Sequence, residues 1–87
     1  NNIETPEVSL NIFPNPTSDF VSFEFFNLSE KTNLEIYDAT GRLLESHQIE
    51  GFEYEIKNVN MNPFAAGIYF YKIKNSNFEK SGKVFKN

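Results

Sequence analysis

One histidine, two aspartates, ten glutamates and no cysteine make up the acid–base and nucleophile material of this chain. Nucleophilic catalysis needs a Ser or Cys activated by a base, with a third group to orient that base. His47 stands alone in "RLLESHQI", within the acidic half of the chain, where a solvated side chain is the ordinary outcome. Asp19 and Asp38 both fall in turn sequences, where aspartate hydrogen-bonds its own backbone. Most glutamates occupy alternate positions on what read as exposed strand faces, and a glycosidase pair would need a cleft between them. One histidine and no cysteine exclude the usual zinc sets, and "DATG" lacks the alternating oxygen ligands of a calcium loop. Phosphate-binding glycine loops are absent, and Asn27-Leu28-Ser29 is an isolated sequon. We therefore assign no catalytic residue, no metal and no cofactor, and do not read the chain as an enzyme.

Binding has more material. Phe26, Tyr37, Phe52, Phe64 and Phe70 have the chemistry to stack on sugar rings, although packing in the core is the reading we prefer for most of them. Charge is lopsided. Residues 1–55 carry eleven acids and two bases, whereas residues 56–87 carry six lysines and one acid. Either the late strands pair with acidic ones across a sheet, or a basic C-terminal end is offered to an acidic partner. The net charge of −4 argues against nucleic acid.

The elements that position these residues are strands. Eighty-seven residues suffice for one domain, and helical spacing of apolar residues never persists. No run approaches the roughly 18 apolar residues of a membrane-spanning helix, so no membrane span is expected. The chain opens on Asn1, and Met61 is its only methionine. We therefore expect a piece of a longer protein, with any signal peptide upstream. "NNIETPE", residues 1–7, reads as a linker, and residues 8–87 read as the domain.

"VSLNIF" alternates Val8, Leu10 and Ile12. "PNP" then removes two amide donors and fixes two φ angles, which ends the strand at Phe13 in a stiff corner. "FVSFEFF" resumes with Val21, Phe23 and Phe25 on one face. "TNLEIYD" turns Leu34 and Ile36 inward. "DATG" is a hairpin loop, with Asp38 accepting from nearby amides and Gly41 supplying positive φ. "RLLESHQI", "EYEIKNV", "GIYFYKIK" and "FEKSGKVFK" follow, the third apolar on both faces near its start, as a central strand would be. Seven short strands with turns between them predict an all-β fold, a small antiparallel Ig-like β-sandwich in two sheets.

Four pieces stand in order: "IFPNPTSDFVSFEF", "LEIYDATGRLL", "AAGIYFYKI" and "EKSGKVFK". Together they resemble the C-terminal sorting domain of the type IX secretion system, in its larger, type A family, over about Val8 to Lys86. That family has an aromatic-Pro-Asn-Pro opening, an Asp-x-x-Gly-Arg/Lys hairpin, a Gly-x-Tyr strand and a lysine-bearing last strand. Two departures stand out: "NPFAA" lengthens the link between Met61 and Gly67, and Phe13 stands where tyrosine is common.

The resemblance implies an address label carried by an upstream cargo domain. Such a label passes through the periplasm, is recognised by an outer-membrane translocon, and is usually removed by a sortase-like peptidase. The cargo then stays at the cell surface or is released. It also implies the candidate recognition residues Pro14, Asn15, Pro16, Gly41, Arg42, Gly67, Tyr69, Lys83 and Lys86. Among these, Gly41 and Gly67 are read mainly as backbone geometry, and Lys83 and Lys86 as direct contacts. A monomer is expected. The competing readings are an accessory sandwich that binds polysaccharide or spaces a catalytic domain, and a homophilic module that pairs through an edge strand.

Overall fold

The computed structural model describes residues 7–87. The linker expected over residues 1–7 lies outside the described residues except for Glu7, whose carbonyl accepts a hydrogen bond from Asn27 Nδ2 at 3.1 Å. Among the described residues are seven strands: β1 (Ser9–Phe13), β2 (Phe20–Phe26), β3 (Thr32–Tyr37), β4 (Leu43–Ile49), β5 (Tyr54–Asn60), β6 (Gly67–Asn75) and β7 (Phe78–Lys86). They lie where the period-two pattern puts them, with ends shifted by a residue or two.

The strands form a three-stranded sheet in the order β1-β2-β5 and a four-stranded sheet in the order β4-β3-β6-β7. All strand pairings are antiparallel. The first sheet has the A-B-E order of an immunoglobulin fold. The fourth strand lies on the C-F-G sheet, whereas the constant-type arrangement places it beside E. β6 is central, between β3 and β7, but only one of its faces is buried: Tyr69, Tyr71 and Ile73 point inward, while Ile68 and Phe70 face out.

The core lies between the sheets. Val21, Phe23 and Phe25 of β2 meet Leu34 and Ile36 of β3, Tyr71 and Ile73 of β6, and Val84 of β7. The ring of Phe23 meets that of Tyr71 edge-on, with centroids 5.4 Å apart at 71°, which aligns the positive edge of one ring with the negative face of the other. Gly82 stands opposite Tyr71 in register, and a Cβ built on it would lie 2.5 Å from Tyr71 Oη. The glycine is there to make room for that ring.

One expectation is corrected, and one strand faces against its apolar pattern. The five aromatics assigned mostly to the core are not fully buried: Phe64 packs against the core, Phe26 and Tyr37 are half-buried, and Phe52 and Phe70 are exposed. In β5 the apolar alternation runs outward, so Tyr54 and Ile56 face solvent and Val59 faces in. Register gives the reason. Val59 pairs with Val21, which puts Lys57 and Glu55 opposite Phe23 and Phe25. On an edge strand their long stems can cover apolar surface while the charges stay wet.

At the end of the sandwich that holds Glu7, the Glu30 carboxylate accepts from Ser76 Oγ at 2.7 Å and from Asn77 Nδ2, tying the β2–β3 connection to the β6–β7 turn.

Candidate recognition site at one end of the sandwich

Strand register decides where the motif residues meet. Leu43, Tyr37, Phe70 and Lys83 form one row across β4, β3, β6 and β7. Past that row, at the same end, lie the Asp38–Arg42 turn, Gly67 and Lys86. A parallel bridge between Thr17 and Lys86 brings the Pro-Asn-Pro corner there as well. All nine candidate residues thus gather at one end of the fold, the end opposite Glu7.

The corner does more than turn the chain. Both proline peptides, Phe13–Pro14 and Asn15–Pro16, are cis. Flanked by two residues without amide hydrogens, Asn15 uses its side chain as strand backbone would be used. Its Nδ2 donates to the Lys83 carbonyl at 3.0 Å, and its Oδ1 accepts from the Phe85 amide at 3.0 Å. The Thr17 amide donates to the Phe85 carbonyl at 2.8 Å, and the Asn87 amide donates to the Thr17 carbonyl at 2.8 Å. The segment therefore covers the outer edge of β7 over its last residues, satisfying groups that would otherwise template another strand. Thr17 is buried, and its hydroxyl donates to the Phe20 carbonyl at 2.5 Å and accepts from the Asp19 amide at 3.2 Å. Sequence reasoning missed Thr17. The available signal was an Asn with no neighbouring amide donors, which leaves its carboxamide to do the bonding.

The lengthened link of residues 61–66 is held from two strands. Tyr69 Oη donates to the Ala65 carbonyl at 2.5 Å, and the Tyr69 ring lies 5.7 Å from that of Phe64. Lys86 Nζ donates to the Phe64 carbonyl at 2.8 Å, so the ammonium proposed for external contact is engaged within the fold. Gly67 has φ +151°, a conformation that disfavours side chains.

The hairpin is organised by Asp38. Its Oδ1 accepts from the Thr40 hydroxyl at 2.6 Å, the Thr40 amide at 2.9 Å and the Arg42 amide at 3.0 Å. Those bonds, the hydroxyl's first and the Arg42 amide's next, hold the carboxyl below its ordinary range. Gly41 has φ +88°, as the turn requires. Arg42 Nε reaches Asp38 Oδ2 at 3.2 Å with most of its side chain in water. Lys83 is exposed, and within the fold only its backbone is used.

Ion pairs among the described residues are local, Arg42–Asp38 and Lys72–Glu79, and the His47 ring nitrogen Nε2 lies 2.7 Å from Glu45 Oε1. Lys72 stands opposite Glu35 in register yet pairs with Glu79 at 3.6 Å, while Glu35 accepts from Tyr37 Oη at 2.6 Å. That phenol is pushed above its ordinary range, chiefly because it donates to the carboxylate. Among the described residues no three or more His, Asp or Glu side chains gather into a metal-binding group.

The fold and this end define a small antiparallel β-sandwich whose distinguishing residues close one end through hydrogen bonds to backbone. The chain belongs to the secretion system C-terminal sorting domain family, whose model matches residues 11–87. It is thus a sorting signal of type IX secretion, and its family is not an enzyme family. No curated protein matches the chain.

Proposed function

We propose that residues 8–87 are the sorting domain proper and that residues 1–7 tether it to upstream cargo. An outer-membrane translocon reads the end that carries the Pro-Asn-Pro corner, the Asp38–Arg42 turn and the end of β7. A sortase-like peptidase cuts in or just before residues 1–7, after transit through the periplasm. The domain acts as a monomeric, non-catalytic label. Gathering of all nine motif residues at one end is the observation that carries this reading. A further support is that Glu7 sits at the opposite end, since Ser9 pairs with Phe26 whereas Phe13 leads into the corner. β7 is nine residues long, so roughly 30 Å separates the recognition end from the end that holds Glu7.

Within the recognition end the roles divide. Asn15, Pro14, Pro16, Gly41, Gly67, Tyr69 and Lys86 shape it, and Arg42 and Lys83 present charge to the partner. The test appends residues 1–87 to a fluorescent protein with a periplasmic signal peptide. It is expressed in a type IX-competent bacterium and in a translocon-null sibling. Fluorescence outside the competent cells alone, with the tag clipped near Asn1, is the expected result. Retention in both strains overturns the reading.

A further inference from the structure

The outer face of the four-stranded sheet changes character along its length. At the end near Glu30 it is polar: Asn33, Lys74 and Glu79 lie side by side. Toward the motif end the row of Leu43, Tyr37, Phe70 and Lys83 is followed by Ile68 paired with Phe85. Leu43, Ile68, Phe70 and Phe85 are each 37–49% exposed. Four strands at about 4.8 Å spacing make this apolar area some 14 Å wide, in one piece. Lys83 stands inside it with no acidic partner among the described residues.

The other sheet also shows apolar side chains outward, but its polar groups are used up among themselves. Asn11 donates to Glu24, Tyr54 donates to Glu24, and Ser22 donates to Asn58. The one charged member of that ladder is acidic.

We propose that the outer face around Tyr37, Phe70, Phe85 and Lys83 is the docking surface for a folded protein of the translocon. The partner presents an apolar patch with a carboxylate placed for Lys83. This rests on the sorting-signal reading above and adds where contact is made and by what chemistry. Charge complementarity selects the occupant: the chain is acidic overall, yet the unpaired charge within this apolar area is a cation. The face also adjoins the motif end directly, because Phe85 is the residue whose amide and carbonyl hold Asn15 and Thr17.

The test uses the reporter fusion with Phe70→Ser plus Phe85→Ser, with Lys83→Glu, with Lys83→Arg, and with Ile56→Ser on the other sheet as control. Melting of each purified domain is measured alongside. The expected result is export reduced roughly tenfold or more by the double variant and by Lys83→Glu, as for loss of an interface anchor. Ile56→Ser should export like the parent, and Lys83→Arg, which keeps the charge, should lose less than Lys83→Glu. If the double variant melts early, Lys83→Glu decides, since within the fold only that residue's backbone is used. Undiminished export by Lys83→Glu, or an equal loss with Ile56→Ser, overturns the surface while leaving the sorting reading intact. A parent domain that dimerises, or that binds anionic vesicles, through Phe70 and Phe85 overturns it by naming another occupant. A parent domain that is not exported overturns both readings.

Discussion

Asn15→Ala should loosen the end of β7 before anything else. The substitution deletes the donor to the Lys83 carbonyl and the acceptor for the Phe85 amide, both at 3.0 Å. A net hydrogen bond contributes about 0.5–1.5 kcal/mol, and both of these are near the surface, where water replaces part of what is lost. The expected cost is therefore about 1–2 kcal/mol. For a domain of this size each kcal/mol moves Tm by about 4–8 °C, so a fall of about 5–15 °C follows. Amide exchange tests the location of the effect. The amides of Phe85 and Asn87 should exchange faster, while those of β2 and β3 in the sheet interiors should change only by the global loss. An unchanged Tm together with unchanged protection at Phe85 would refute the reasoning, because the corner would then be a connection and not a cover for the strand edge. Asn15→Asp keeps the acceptor but sets a carboxylate against the Lys83 carbonyl, and should be at least as damaging as Asn15→Ala.

Gly82→Ala should cost about 1–3 kcal/mol by overpacking, read as a fall in Tm, because its Cβ meets Tyr71 Oη at 2.5 Å and ring carbons at 2.7 Å. Since the ring itself collides, Tyr71→Phe should not restore the loss. Asp38 stabilises the hairpin through a carboxyl held below its ordinary range, so that contribution is full at neutral pH, begins to fade as pH drops below about 4, and is gone below the folded-state value. Melting curves from pH 7 to 2 should show Asp38→Asn less stable at neutrality and flatter across the acid window; parallel curves would assign the acid loss elsewhere.

Strand existence was legible because period two runs through most segments and the breakers between them are strong. Val21, Phe23 and Phe25 have a single consistent face, and all three are fully buried. β5 was harder for a physical reason. Its alternation is clear, but both faces carry long amphipathic side chains, and only the partner Val21 decides that Val59 goes in. Periodicity is blind to that, since it belongs to the neighbouring strand. Strand order likewise depends on pairings across the chain, such as β2 with β5 and β3 with β6, which no local pattern encodes. The turn at Asp38 was legible in detail because its hydrogen bonds are local, whereas Lys86 was assigned outward because its acceptor, the Phe64 carbonyl, lies 22 residues away.

The same distinction separates two kinds of motif residue. Residues that look like a displayed signature in sequence, the prolines, Asn15, Gly67 and Tyr69, spend their polar groups or conformational freedom on the fold. Lys83 and the rings beside it are left with unused side-chain chemistry. Asn15 bonds to both Lys83 and Phe85, and Thr17 bonds to Phe85 and Asn87. The corner and the last five residues are therefore one mechanical unit, although some 70 positions separate them in the chain. Export lost on changing the corner cannot by that fact alone identify the corner as the recognised feature. The strand it secures places Lys83 and Phe85, and a partner that reads those side chains would be just as sensitive to Asn15.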